Sequence, residues 1–205
     1  MEHGYPVTAT WRSERERDRI EGSLGDAVQL VQADLMDQDQ VQDAVEQAGD
    51  LGAVVNLVGG YQSGGRVHET DPAGFQQMLD LNLRPGFLLA SAAIPKLIEG
   101  GGGAYVGVSA RAALRPFKGA AGYITAKAGV IAFVQALAVE YRDDGVRANA
   151  VLPSTIDTPA NREQMPNADH EKWVPPAEIA RVIRFLISDD SAPTSGAAIP
   201  VYGRA

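Results

Sequence analysis

The chain is predicted to be an α/β protein built on a doubly wound parallel sheet. Three observations predict this. Residues 53–58, 104–108 and 146–152 are short, nearly continuous apolar runs, the pattern of strands buried on both faces. Stretches of helical periodicity alternate with them, and parallel strands need such crossover helices. Glycine, proline, serine or asparagine closes most of the strands.

Composition narrows the function classes. With 205 residues the chain is long enough for one domain with a substantial core. A net charge of −8 disfavours nucleic acid and anionic membrane surfaces as partners. There is no cysteine, hence no disulfide, thiolate nucleophile or cysteine-ligated metal. His3, His68 and His170 fall in no metal-binding spacing. The N-terminus has no basic-then-apolar leader pattern, and no run approaches the ~18 apolar residues of a membrane span. The expectation is a cytoplasmic protein without membrane or nucleic-acid partner.

Taken in order, residues 5–11 read as a strand. Residues 12–19 are a mixed-charge segment, the pattern of a solvated helix with i,i+4 pairs. Residues 28–31 form a second strand, ending at Ala33-Asp34-Leu35. Gln38–Ala48 has Val41, Ala44, Val45 and Ala48 at helical spacing and covers the sheet. Residues 53–58 run into Gly59-Gly60. Asp71-Pro72 is a helix start, with Asp as cap and Pro at the first position. That helix continues past Leu89, with Pro85 expected to bend it. Gly100 to Gly103 is a helix stop and turn rather than a phosphate cradle, because it precedes a strand instead of following one. The helix from Tyr123 to about Tyr141 is apolar on nearly all sides, so more than one face must be covered. Residues 161–174 are polar and irregular, like a lid. Pro175-Pro176 opens a last helix through Ile187, and residues 195–201 form a closing strand.

The chemistry concentrates in Tyr123-Ile124-Thr125-Ala126-Lys127. Tyr123 and Lys127 lie one turn apart on one helix face. A phenol with a pKa of ~10 is a poor acid or base at pH 7, and a nearby cation brings that pKa down. Ser109 closes the strand before this helix, where its hydroxyl could bond the oxygen that the tyrosine protonates. Together they read as a proton-transfer site on a carbonyl or alcohol. Alone, a Tyr-x-x-x-Lys is more often a tyrosine packed under a lysine stem; the strand, serine, loop and helix around it make the difference.

In that context the chain resembles the short-chain dehydrogenase/reductase family, of the 3-oxoacyl-carrier-protein reductase-like type. The matching pieces are Val108-Ser109-Ala110, Tyr123 to Lys127, Leu81-Asn82-Leu83 and Asn149-Ala150-Val151-Leu152-Pro153. The resemblance implies a single Rossmann-like domain over residues 1–205 and an NADP-dependent oxidoreductase acting on a small carbonyl or alcohol substrate. It implies Tyr123 as acid/base, Lys127 tuning it and holding the nicotinamide ribose, Ser109 polarising the substrate oxygen, and Asn82 supporting a proton relay. For the cofactor it implies Arg12 at the 2′-phosphate, hence NADP over NAD, with Ser13 beside it. Asp34 and Leu35 fall where the family meets adenine, although Asp34 serves equally well as a turn or cap residue. Asn56 and Gly59 stand for the family's Asn-Asn-Ala-Gly, with Leu57 and Val58 adding bulk between them. Pro153, Ile156 and Thr158 fall where the family meets the nicotinamide. Ser154 replaces a glycine there and would be strained if φ were positive. The long helix implies a homodimer or homotetramer. A 3-oxoacyl thioester, a ketone and a sugar all fit as substrates.

One family feature has no counterpart. The first strand and its Thr-Gly-x-x-x-Gly-x-Gly loop are absent, and Glu2-His3-Gly4-Tyr5-Pro6-Val7 resembles the turn into the second strand. That loop holds a pyrophosphate. The alternative reading is therefore a non-catalytic, N-terminally truncated member that keeps the fold and oligomer surface but binds cofactor poorly. A central strand would then be missing between residues 5–11 and 53–58. Three outcomes are open: the flanking strands close up, another chain supplies a strand, or the N-terminal segment is loosely held.

Overall fold

The computed structural model describes residues 5–205; Glu2, His3 and Gly4 of the expected turn lie outside the described residues. The strands are β1 (Thr8–Trp11), β2 (Gln29–Gln32), β3 (Ala53–Asn56), β4 (Gly103–Val108), β5 (Val146–Pro153) and β6 (Ala198–Val201). The longer helices are α1 (Glu14–Leu24), α2 (Gln38–Ala48), α3 (Pro72–Glu99), α4 (Ala121–Glu140), α5 (Pro159–Gln164) and α6 (Pro176–Ile187). The strands β3-β4-β5-β6 form one parallel sheet, in that order.

Side-chain alternation sorts the core into layers. In β4, Tyr105 joins β5 residues Ala148, Ala150 and Leu152 under α3 and α4. Its neighbour Val106 points the other way, joining Val151, Val201, Ile179 and Leu186 beneath α6. Gly107 lets α4 come down onto β4: a Cβ there would lie 2.9 Å from Val134 Cγ2. Gly102, at φ 117°, is needed twice over, because a Cβ would sit 2.6 Å from the Gly145 carbonyl oxygen. α3 runs without interruption through Pro85 and Pro95. Pro85 leaves the Leu81 carbonyl without its usual i+4 donor.

Two expectations change. Residues 159–164, at the edge of the expected irregular stretch, form α5, because Thr158 caps it through its hydroxyl and Pro159 suits the first position. The expectation that no segment matches a membrane span also fails on length and composition. α4 has twenty residues with only Lys127 and Glu140 charged, and is long and apolar enough. Here it packs on α3, β4 and β5, which accounts for its buried apolar side, while Ala128, Ala132, Ala136 and Val139 stay exposed.

The N-terminal segment forms its own sheet. β1 pairs with β2 alone, in parallel, and β3 pairs with β4 alone. Among the described residues, then, the strands flanking the expected gap have not closed up, and each has one open edge. No residue of β1 or α1 is buried. The unit is tied on through Val31, Ala33, Leu35, Val41 and Ala44, which pack with Leu88 of α3, and through the Arg84 Nε–H donated to the Met36 carbonyl. A segment with little buried apolar surface opens at low free-energy cost. Amide hydrogen exchange is expected to be fast in residues 8–11 and slow in residues 103–108. Equal protection in the two would show that the N-terminal sheet is as firmly held as the main one.

Candidate active site

The C-terminal ends of β3 and β4 bring together Gly59 and Ser109, with α3 and α4 supplying Asn82, Tyr123 and Lys127. Lys127 is buried, and its Nζ donates to the Val108 carbonyl at 3.0 Å. Ser109 is buried too, and its Oγ donates to the Lys127 carbonyl at 2.6 Å. The strand end and the helix turn are thus cross-bonded. A serine hydroxyl has one proton to donate, and here that proton points into α4. Ser109 therefore offers a substrate oxygen no donor unless its hydroxyl rotates.

Asn82, 1% exposed, clamps the loop after β3. Its Nδ2 donates to the Gly60 and Met78 carbonyls, and its Oδ1 accepts the Gly60 N–H at 3.1 Å. Gly59 sits where this clamp meets the lysine: a Cβ would lie 2.7 Å from Asn82 Oδ1 and 2.9 Å from Lys127 Nζ. Asn56 Oδ1 accepts the Val58 N–H, and its side chain also reaches the Tyr105 hydroxyl, stapling β3 to β4. Leu57 is 68% exposed at the sheet's edge, while Val58 packs inward.

The tyrosine differs from expectation. Lys127 Nζ lies 5.9 Å from the centre of the Tyr123 ring, yet burial and then repulsion from Tyr61 push the phenol up to about 12. Burial also pulls the Lys127 ammonium down to about 8. The cation is bonded to the Val108 carbonyl, and desolvation outweighs its pull on the phenol. Tyr123 is accordingly a neutral phenol at pH 7.

The remaining candidates are spread along the same edge. Pro153 ends β5 opposite Val201. Ile156 bridges to Val174, and its carbonyl accepts from Asn161 Nδ2 at 2.8 Å. Thr158 Oγ1 accepts the Asn161 N–H, which leaves its hydroxyl proton free. Ser154 has no positive φ, so no strain arises there; its hydroxyl donates to the Tyr202 carbonyl. Leu35 is in the core, leaving only its backbone for a ligand. Asp34 Oδ1 accepts the Met36 N–H, the turn role weighed above. Arg12 is exposed after β1; its N–H and that of Ser13 donate to Glu16, which fixes the start of α1.

Sequence reasoning missed Tyr61. Its ring meets the Tyr123 ring edge-on, 5.0 Å between centres, and Phe117 lies 6.4 Å beyond. An aromatic directly after a glycine pair that closes a strand was the available signal.

Comparison with known proteins gives the family. A family model described as enoyl-(acyl carrier protein) reductase fits residues 1–203. A solved structure described as a short chain dehydrogenase/reductase family protein is 32% identical, with TM-score 0.89, over 98% of this chain and 87% of that one. The chain belongs to the short-chain dehydrogenase/reductase family. Another relative is the 2-(R)-hydroxypropyl-CoM dehydrogenase of Xanthobacter autotrophicus, 30% identical over 197 residues, covering 88% of this chain and 79% of the relative. The 3-ketoacyl-(acyl-carrier-protein) reductase of Brucella melitensis, solved with NADH, is 26% identical with TM-score 0.88, over 99% and 89% of the two chains. As a short-chain dehydrogenase/reductase the chain has an oxidoreductase fold whose relatives act on alcohols and carbonyls.

The buried lysine makes stability depend on pH. Below pH 8 both folded and unfolded chains hold the Lys127 proton, and the folded state bears the desolvation cost. Between about 8 and 10.5 only the unfolded chain holds it, so stability rises with pH. Tyr123 acts oppositely, but only from 10 to about 12. Urea unfolding at pH 7.5 and 9.5 is expected to show a rise of about 2 kcal/mol that Lys127→Met lacks. The same rise in the variant would assign it to other groups.

Proposed function

We propose that the protein is an NADP(H)-dependent oxidoreductase that interconverts a secondary alcohol and its carbonyl. The observation that carries this reading is the convergence of Asn82, Gly59 and Lys127 beside the neutral phenol of Tyr123. In reduction Tyr123 gives its proton to the carbonyl oxygen as the carbon receives a hydride; in oxidation the tyrosinate takes the hydroxyl proton as the carbon loses its hydride. A bound nicotinamide supplies or accepts that hydride. Lys127 has two Nζ protons beyond the one on the Val108 carbonyl, enough for a ribose hydroxyl and for the tyrosinate as it forms. Once formed, that anion and the ammonium stabilise each other strongly in so dry a place. Ser109 turns from the Lys127 carbonyl to the substrate oxygen, and Asn82 holds the loop. Ile156 and Thr158 stand at the nicotinamide, with Pro153 shaping that wall. Arg12 favours a 2′-phosphate, with Asp34 and Leu35 on the adenine side, while Asn56 holds the strands together and Gly59 lets the backbone approach the cofactor. Residues 1–205 act as one domain.

A second reading rests on one observation: among the described residues no glycine-rich loop leaves a strand to open a helix, and β1 and β3 each have an open edge. On that reading the chain keeps the fold and binds cofactor poorly. NADPH fluorescence separates the two: micromolar binding supports the enzyme, and none supports the alternative. Where turnover is present, Tyr123→Phe is expected to lower kcat by ~10² to 10⁴ while NADPH binding stays similar. A Phe variant with near-full activity would remove Tyr123 from the chemistry.

The same reading includes a homo-oligomer. Phe87 on α3, 58% exposed, lines a groove with Ile94, Ile98 and Leu137, and Val139 on α4 is 67% exposed. Apolar surface of this kind is expected to meet its copy across a two-fold axis. Light scattering at micromolar concentration should give a dimer or tetramer, and Val139→Asp should shift it toward monomer. A monomeric wild type contradicts the assembly.

A further inference from the structure

We infer that Tyr61 is a specificity-determining residue. With Phe117 it forms an aromatic wall beside Tyr123 that selects secondary alcohols and ketones bearing a flat apolar ring. This rests on the reading of Tyr123 as the acid. The rings of Tyr61 and Tyr123 meet at 85°, and the Phe117 ring is tilted 50° to that of Tyr61. Tyr61 and Phe117 remain 52% and 49% exposed, so both have apolar surface left to cover. Neither belongs to a core cluster.

The wall is also tethered on two sides. The loop carrying Tyr61 is pinned on one side by the Asn82 side chain, which bonds both the N–H and the carbonyl of Gly60. On the other side the Gly64 N–H donates to the Gly119 carbonyl at 2.7 Å, tying it to the segment between Phe117 and α4. Gly119 has φ 84°, and a Cβ there would lie 2.8 Å from the Gly64 carbonyl oxygen. The two aromatics are thus tethered to each other and to the acid. A ring on the substrate's carbinol carbon meets the exposed faces edge-on or offset, the arrangements that aromatic pairs prefer. An alkyl substituent covers less of them.

The test compares 1-phenylethanol with 2-butanol, in the presence of NADP, for the wild type, Tyr61→Phe and Tyr61→Leu. In Tyr61→Leu the ratio of kcat/KM for the aryl over the alkyl alcohol is expected to fall about ten-fold, mainly through KM for the aryl alcohol. Tyr61→Phe should keep the ratio within about two-fold, since the ring remains. An unchanged ratio in Tyr61→Leu, or equal losses on both alcohols, overturns the inference. If the wild type oxidises neither alcohol, the enzyme reading fails for this class, and the wall is read from acetophenone binding by NMR titration. Weaker binding in Tyr61→Leu than in wild type and Tyr61→Phe supports it; equal binding in all three overturns it.

Discussion

The seat of Lys127 is the constraint on which the site depends. An ammonium taken out of water is costly unless hydrogen bonds and a nearby charge compensate. Here one proton goes to the Val108 carbonyl, at the end of the central strand β4, and the residue's own carbonyl receives the Ser109 hydroxyl from the next position on that strand. Helix and strand are therefore locked in one register at the candidate site. Gly107 permits the close approach of α4, and Gly59 leaves room for the lysine head beside Asn82.

The same seat explains the state of the tyrosine. Desolvation works in opposite directions on the two groups, raising the phenol and lowering the ammonium. On the proposed mechanism the pair gives a proton, and the charge then created on Tyr123 compensates the buried cation. Preorganisation of this kind acts on the charge as it develops rather than on the resting phenol.

The N-terminal part is built differently. β1 and β2 form a sheet of two strands, too small to be stable alone, and hold to the rest through α2 against α3. The main sheet has two helix layers and largely buried central strands. The catalytic candidates sit on the part with the larger core, and the adenine-side candidates Arg12, Asp34 and Leu35 sit on the smaller one.

The order of strands and helices, the cap at Asp71, the stop at Gly100 and the Tyr123–Lys127 pairing were legible in the amino-acid sequence. Each depends on neighbours within a turn or on a local periodicity that needs no partner to be seen. The family was legible as well, because its motifs sit at the ends of those elements. What the sequence could not decide is what each polar group does with its hydrogen bonds. That Ser109 donates to Lys127, that Asn82 clamps Gly60, and that Tyr61 stands against Tyr123 all join residues far apart in the chain. The pKa directions follow from burial, which only packing creates, and the division into two sheets follows from strand pairing across long separations. Local interactions chose the elements; long-range packing decided which atoms meet.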